Sequence, residues 1–380
     1  MGQFTPQILT LHAITLCIGL IVGFRFVYRL SIGRPFRYLL VGLVLIVSLN
    51  RLFSQLLLGS LDPIDLPRPL IVTLSWLFAS VLMLTVSQVA LDVVTALRSL
   101  VARRLVRPAA WVRWTMGAGA LSLSALGVSQ ALQVPNAKVV EITLEGLPEE
   151  FDGYRILQLT DLHVSHLFPG RWLSDVVAVA NDQRADLVAI TGDVVDGIPA
   201  TRQDDLASLR LLQAKDGVFM VPGNHEYYFD YVGWIETFQV LGLRPLLNGH
   251  VVIRRGSAEM VLAGVTDPVA AGHGHVAPNI REALAGKGNG VPVVLLAHQP
   301  QLARRAAQAG VDLQLSGHTH GGMAIGLRRL VGSLNGGFVS GLYKIGNMRL
   351  YVSNGTGHTP GFAFRFGVPP EMTVVVLRPA

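Results

Sequence analysis

Residues 312–322 read Asp312-Leu-Gln-Leu-Ser316-Gly317-His318-Thr319-His320-Gly321-Gly322. A short apolar run reads as a strand, and the Ser-Gly that follows breaks it into a loop. Two imidazoles then stand two positions apart, which on an extended segment points both to one side. Glycines beside them let backbone come close to whatever the imidazoles hold. The expectation is a strand that delivers metal-binding or proton-binding groups at its carboxyl end.

Four earlier stretches have the same form. Arg155-Ile-Leu-Gln-Leu-Thr160 leads to Asp161-Leu-His163, and Asp186-Leu-Val-Ala-Ile-Thr191 leads to Gly192-Asp193. Gly217-Val-Phe-Met-Val-Pro222 leads to Gly223-Asn224-His225-Glu226, and Pro292-Val-Val-Leu-Leu-Ala297 leads to His298. In an open α/β sheet, sites form outside the carboxyl ends of strands, so these groups are expected to converge. Ten of the eleven histidines lie after residue 160, a skew that fits metal or acid–base chemistry there.

From about residue 138, β-branched runs alternate with helical patterns, which predicts an α/β layered domain. Strands are expected at 138–144, 154–160, 186–191, 217–221, 259–265, 292–297, 312–316, 348–353 and 371–377. Helices are expected at 171–183, 201–213, 231–242 and 300–309. Fully apolar strands such as Val293-Val294-Leu295-Leu296 read as buried on both faces.

The ordered set D-x-H, G-D, G-N-H-E, H and G-H-T-H-G-G resembles the calcineurin-like metallophosphoesterase superfamily over roughly residues 138–377. Within it, the chain is most similar to the bacterial membrane-anchored phosphodiesterase branch, which includes relatives of enzymes that cleave the pyrophosphate of UDP-diacylglucosamine. The resemblance implies a four-layer α/β/β/α sandwich. It implies that Asp161, His163 and His320 hold a first metal, that Asn224, His298 and His318 hold a second, and that Asp193 bridges both. It places His225 beside the site as a general acid oriented by Glu226. Arg365 resembles a position near the site in this branch and is expected, with His358, to face substrate. A pair of such cations clamps the attacking and leaving oxygens of an in-line displacement. Mixed nitrogen and oxygen ligands suit Mn, Fe or Zn better than Ca or Mg.

The first third of the chain has a different composition. Eleven of the 31 Lys+Arg and only three of the 25 Asp+Glu fall before residue 133, a net of about +8 there and about −2 beyond it. No Lys/Arg stripe with interleaved aromatics accompanies the charge, so nucleic acid is not expected as a partner. Apolar stretches run from Ile8 to Phe24, Tyr38 to Leu58, Leu70 to Val89 and Trp114 to Val134. Each approaches the ~20 residues a helix needs to cross a bilayer. The reading is an all-α bundle of about four transmembrane helices over residues 1–135, followed by the catalytic domain over 136–380. Arg25, Arg29, Arg34 and Arg37 follow the first stretch, and Arg98, Arg103, Arg104, Arg107 and Arg113 precede the fourth. The loop between the second and third has Asp62, Asp65 and one basic residue, Arg68. By the positive-inside rule the Arg-rich loops are cytoplasmic, and the catalytic domain lies outside the cytoplasm of a bacterial inner membrane. The single cysteine, Cys17, can build neither a disulfide framework nor a thiolate zinc site.

The functional expectation is hydrolysis of a phosphodiester or pyrophosphate bond on a lipid-linked or envelope substrate. A phosphomonoesterase or nucleotidase with a soluble substrate is the alternative within the same chemistry. A transport or signalling protein with a regulatory hydrolase domain is the alternative outside it. Its apolar stretches hold few ionisable groups, chiefly Arg51 and Asp92, where transport sites carry more. The oligomeric state is not legible.

Overall fold

The computed structural model describes residues 6–61, 64–359 and 361–380. The chain divides into two compact units, Met1–Gln130 with Pro360–Phe364, and Ala131–Thr359 with Arg365–Ala380. The sequence reading places a single boundary at residue 135; the chain instead returns to the helical unit near its end, where Phe362 packs edge-to-face on Phe78 with centroids 5.3 Å apart.

Helices Pro6–Leu20, Arg34–Ser48, Asn50–Leu58, Arg68–Ala102 and Ala110–Ala131 build the helical unit. The first continues through a π-helical turn, Ile21–Phe26, into Val27–Arg29. Ile8–Arg29 and Arg68–Ala102 are long and apolar enough to cross a membrane. The pair Arg34–Ser48 and Asn50–Leu58 bends by 61° and makes a third span only if both halves are one. Asn50 stands at that bend and donates to the Val47 carbonyl at 2.7 Å, which ties off a carbonyl freed where the helix breaks. Ala110–Ala131 has the length, but its Gly and Ser content keeps it below the apolarity of the other two. The expected count of about four spans is thus two or three by length and composition among the described residues. Arg25, read as a loop residue, lies inside the first span and pairs with Asp92 at 2.9 Å. Asp62 lies outside the described residues.

The second unit holds twelve strands. They are β1 (Ala137–Leu144), β2 (Arg155–Leu159), β3 (Leu187–Thr191), β4 (Val218–Val221), β5 (Arg244–Pro245) and β6 (Gly249–Arg255), then β7 (Ala258–Gly264), β8 (Val293–Leu296), β9 (Leu313–Ser316), β10 (Gly341–Ile345), β11 (Met348–Val352) and β12 (Met372–Pro379). They form two mixed six-stranded sheets, ordered β1-β12-β2-β3-β4-β5 and β10-β11-β9-β8-β7-β6. Alternation within single strands creates two cores. Val294 and Leu296 of β8 join Leu187, Phe219 and Leu262 in a cluster fed by both sheets. Their neighbours Val293 and Leu295 join Ala303 and Ala306 of the helix Ala303–Gln308 in another. Both faces of β8 are therefore covered, as its unbroken apolar run predicts.

The nine expected strands are present within a residue or two, but β5, β6 and β10 are not among them. β6 carries Arg254 and Arg255, β10 alternates half-buried and exposed residues, and both lie at sheet edges. Edge strands need no continuous apolar run. The helix expected at 201–213 is one turn of α-helix, Pro199–Arg202, continued by the tighter 3-10 segment Gln203–Leu211.

Candidate metal centre

Strands β2, β3, β4, β8 and β9 end at one place, and the five polar groups meet there. Asp161, His163 and His320 offer ligand atoms within 4.8 Å of one another, as do Asp193, His298 and His318. His163, Asp193 and His225 form a third such group and link the other two. Asp193 Oδ2 stands 3.2 Å from His298 Nε2 and 3.7 Å from His163 Nε2, so one carboxylate faces both sets. Asn224 Oδ1 lies 3.1 Å from His298 Nε2.

The backbone differs from the extended geometry the spacing suggests. Asp161, His163, Asp193, His318 and His320 all have positive φ, between 47° and 71°. Left-handed backbone is disfavoured for residues with a Cβ, and clusters of it mark functional sites. The neighbouring glycines permit the crowding. A Cβ on Gly223 would lie 2.2 Å from Asp193 Oδ1, and one on Gly317 would lie 2.3 Å from Asp161 Oδ2. Side chains there would occupy the ligands' own space.

The donor set suits a cation. Burial pushes the His318 imidazolium down to about 3, with nearby His298 adding to the effect, so the ring is a neutral donor at ordinary pH. Burial also opposes charge on Asp193, but His298 and His225 outweigh it and hold its carboxyl well below the usual range. His163 Nε2 and His320 Nδ1 are buried without a hydrogen-bond partner, and a desolvated ring nitrogen left so calls for a ligand. Nitrogen and oxygen donors, buried and aimed at common points, fit a pair of divalent or trivalent ions.

Second contacts fix the rings. His298 Nδ1 is 2.8 Å from the Thr191 carbonyl. His163 Nδ1 is 3.0 Å from Asp196 Oδ2, and His225 Nδ1 is 2.5 Å from Asp196 Oδ1. Asp196 is thus the carboxylate that orients His225, in the place expected of Glu226. The Glu226 carboxylate accepts instead from the backbone N–H groups of Gly223, Val194 and Asp193, at 2.7, 2.7 and 3.1 Å. It ties the β3 and β4 loops together from beneath. Burial opposes charge on Asp196 as well, but His163 and His225 hold it at about 2.

Arg365 also differs from expectation. Its side chain is fully buried, and its guanidinium donates to the carbonyls of Asn354, Gly355 and Gly357 at 2.7–3.2 Å and of His320 and Val368 at 3.4 Å. A guanidinium so occupied clamps the 354–357 loop to the His320 turn rather than reaching a phosphate. His358 is buried and stacks on His320 with centroids 4.8 Å apart. Tyr228, exposed, stands 5.3 Å from the His225 ring and 5.6 Å from His273. No motif marks Tyr228 as a neighbour of the site.

Residues 154–322 match the family described as calcineurin-like phosphoesterase. The chain is 33% identical over 270 residues to a "Transmembrane protein with metallophosphoesterase domain" of Danio rerio, covering 68% of this chain and 61% of that one. It is 34% identical to an uncharacterized metallophosphoesterase of Helicobacter pylori, covering 67% of this chain and 66% of that one. It is 30% identical to an uncharacterized metallophosphoesterase of Aquifex aeolicus, covering 67% of this chain and 96% of that one. The chain thus spans about three-fifths to two-thirds of the length of the first two and nearly all of the third. Such relatives occur in vertebrates as well as bacteria, so the likeness reaches beyond the bacterial branch.

Proposed function

The chain belongs to the calcineurin-like metallophosphoesterases, a family of metal-dependent phosphate-ester hydrolases, and from that premise we propose that it hydrolyses phosphodiester or pyrophosphate bonds in a lipid-linked or envelope substrate. The observation that carries this reading is the convergence of seven side chains from five strand ends on overlapping ligand groups. Asp161, His163 and His320 would hold one ion and Asn224, His298 and His318 the other, with Asp193 facing both. Mn, Fe or Zn matches these donors.

When bound, two such ions supply positive charge to the phosphoryl oxygens and to both the attacking and the leaving oxygen. The rest falls to the chain itself. His225 stands among the ligand groups with its Nδ1 held by Asp196, so Nε2 would be the atom that gives a proton to the leaving oxygen. Asp196 steadies the imidazolium that carries this proton before it is given up, as a buried carboxylate behind a catalytic histidine does. Glu226 keeps the β3 and β4 loops at fixed spacing, and with them Asp193 and Asn224.

Two helices with the length and composition of spans, in a chain whose relative is named as a transmembrane protein, support membrane association. We place it as a multi-pass protein of a bacterial inner membrane, with the catalytic unit beyond the cytoplasm. A tethered site favours substrates confined to the bilayer, because their local concentration is raised.

The test is an assay of the purified full chain on lipid-linked pyrophosphates, bis-p-nitrophenyl phosphate and soluble nucleotides, with Mn, Fe or Zn supplied in turn. Hydrolysis of the lipid-linked compounds at the highest kcat/KM supports the reading. Preference for nucleotides or monoesters moves the substrate to the soluble pool, and a fully metal-loaded protein inert on all three overturns hydrolysis.

A further inference from the structure

The segment that follows His320 carries its apolar residues outward. Positions 330 and 334 of the helix Arg328–Leu334 share one side with 327, the N-cap residue before it, because residues three and four apart stack on a helix. All three are leucines, and they are 39%, 63% and 74% exposed. Gly332 and Asn335, on the other side, are buried. Ile325, just before the helix, is 70% exposed. A surface helix in water does the reverse, turning its apolar stripe to the core and its polar residues outward. Clustered exposed apolar side chains mark a contact surface.

The charge nearby says which contact. Arg328 and Arg329 stand at the start of the helix, both exposed, and no acidic residue occurs between Asp312 and Glu371. Leucines and an isoleucine beside arginines, without acids, match the interface of an anionic bilayer, where apolar groups enter the acyl boundary and arginines meet phosphates. The same polypeptide contains helices long and apolar enough to span a membrane. We propose that Ile325, Leu327, Leu330 and Leu334 insert into the bilayer surface, with Arg328 and Arg329 on its lipid phosphates.

The helix begins against the metal-centre turn: the Arg328 Cα lies 3.5 Å from where a Cβ on Gly322 would stand, two residues after His320. Lipid seated on this face would bring its headgroup to the loop that carries His318 and His320. That consequence rests on the hydrolytic reading above; the membrane contact does not.

The test reads position rather than turnover. In the full chain, Cys17, the one cysteine, is replaced by Ser. Leu330→Cys, Ile325→Cys and, as a control from another exposed site, Val240→Cys are labelled with nitrobenzoxadiazole. Each protein is reconstituted in nanodiscs of phosphatidylcholine and phosphatidylglycerol. The labels at 325 and 330 are expected to emit at shorter wavelength and to be quenched several-fold more by nitroxide-bearing lipid than the label at 240. Two labelled positions guard against one variant failing to fold. Labels at 325 and 330 that are quenched by iodide as strongly as the one at 240, and not by nitroxide lipid, overturn the proposal. Labels shielded from both quenchers overturn it too, since a protein neighbour then covers the face. Either result can be obtained on an enzyme that hydrolyses nothing.

Discussion

Asp196 places one carboxylate oxygen 2.5 Å from His225 Nδ1. Its second oxygen lies 3.0 Å from His163 Nδ1, so one buried acid braces both a proposed proton donor and a proposed metal ligand. His225→Ala is expected to lower kcat by roughly 10²–10⁴ on an alkyl leaving group, with metal content kept. A nitrophenyl leaving group needs little protonation and should suffer less. Asp196→Ala should reproduce this leaving-group dependence and also weaken metal binding by about 10–100-fold, because both rings lose their brace. Equal losses on the two leaving groups in His225→Ala would remove it as the acid.

Asp193→Asn is expected to cost at least about 10² in activity and to reduce metal content at both positions, since the side chain that faces both ligand sets loses its charge. Elemental analysis checks the stoichiometry. Two ions per chain and full activity in that variant would refute the bridging role.

Arg365 is a matter of stability. Arg365→Met removes a buried donor shared by five carbonyls, of which those of His320 and Gly355 keep the backbone N–H groups of Met323 and Glu371, and should destabilise the second unit by about 3 kcal/mol. Thermal unfolding in detergent reads the change. Protein that stays folded at low temperature should keep its KM. A raised KM with an unchanged melting temperature would return Arg365 to a phosphate-binding role.

Asp267 sets a pH dependence. It is buried, and desolvation lifts its carboxyl to about 6. Between the ordinary value near 4 and that value, the folded state binds more protons than the unfolded one. Its contribution to stability is therefore full below about 4 and declines as pH rises through about 6. Asp267→Asn should flatten the stability profile across that window. A variant whose unfolding midpoint follows pH as the parent's does would show that another group carries the slope.

Topology can be read from a fusion after Ala380. Arg103, Arg104, Arg107 and Arg113 flank the start of the helix Ala110–Ala131, and translocating such a cluster is disfavoured. Alkaline phosphatase is expected to be active at that position and green fluorescent protein, exported unfolded, to be dark. The opposite pattern would mean that this Gly- and Ser-rich helix does not cross, and would turn the substrate toward nucleotide-activated lipids of the inner leaflet.

Much of the proposed centre was legible because each ligand sits just past the end of an apolar strand, and after β3, β4 and β9 a glycine announces it as well. Asp196 was not, since Val194-Val195-Asp196-Gly197 reads as an ordinary turn and its partners are known only once β3 and β4 are side by side. Glu226 was found for the wrong role: adjacency to His225 in sequence suggested a side-chain partner, while the helical turn at Asn224–Tyr228 points the carboxylate back at backbone amides. Arg365 misled for a related reason, because burial cannot be read from a lone Arg between phenylalanines. In the first third, composition located the apolar helices. It could not foresee that Arg25 would lie within the apolar segment Ile8–Arg29, neutralised by Asp92 of the helix Arg68–Ala102.

The left-handed backbone at five of the proposed ligands bears on how this centre can be dissected. Aspartate and asparagine tolerate that conformation better than most residues with a Cβ. Asn at 161 or 193 therefore changes charge alone, whereas alanine there changes charge and loop shape together. A conventional alanine scan would confound chemistry with backbone relaxation at these positions, and glycine, which rests easily at positive φ, becomes the informative truncation for His163, His318 and His320. Transplanting the seven side chains onto another α/β protein would fail for the same reason. The heritable unit is the set of bent loops, and the residue letters are only its visible part.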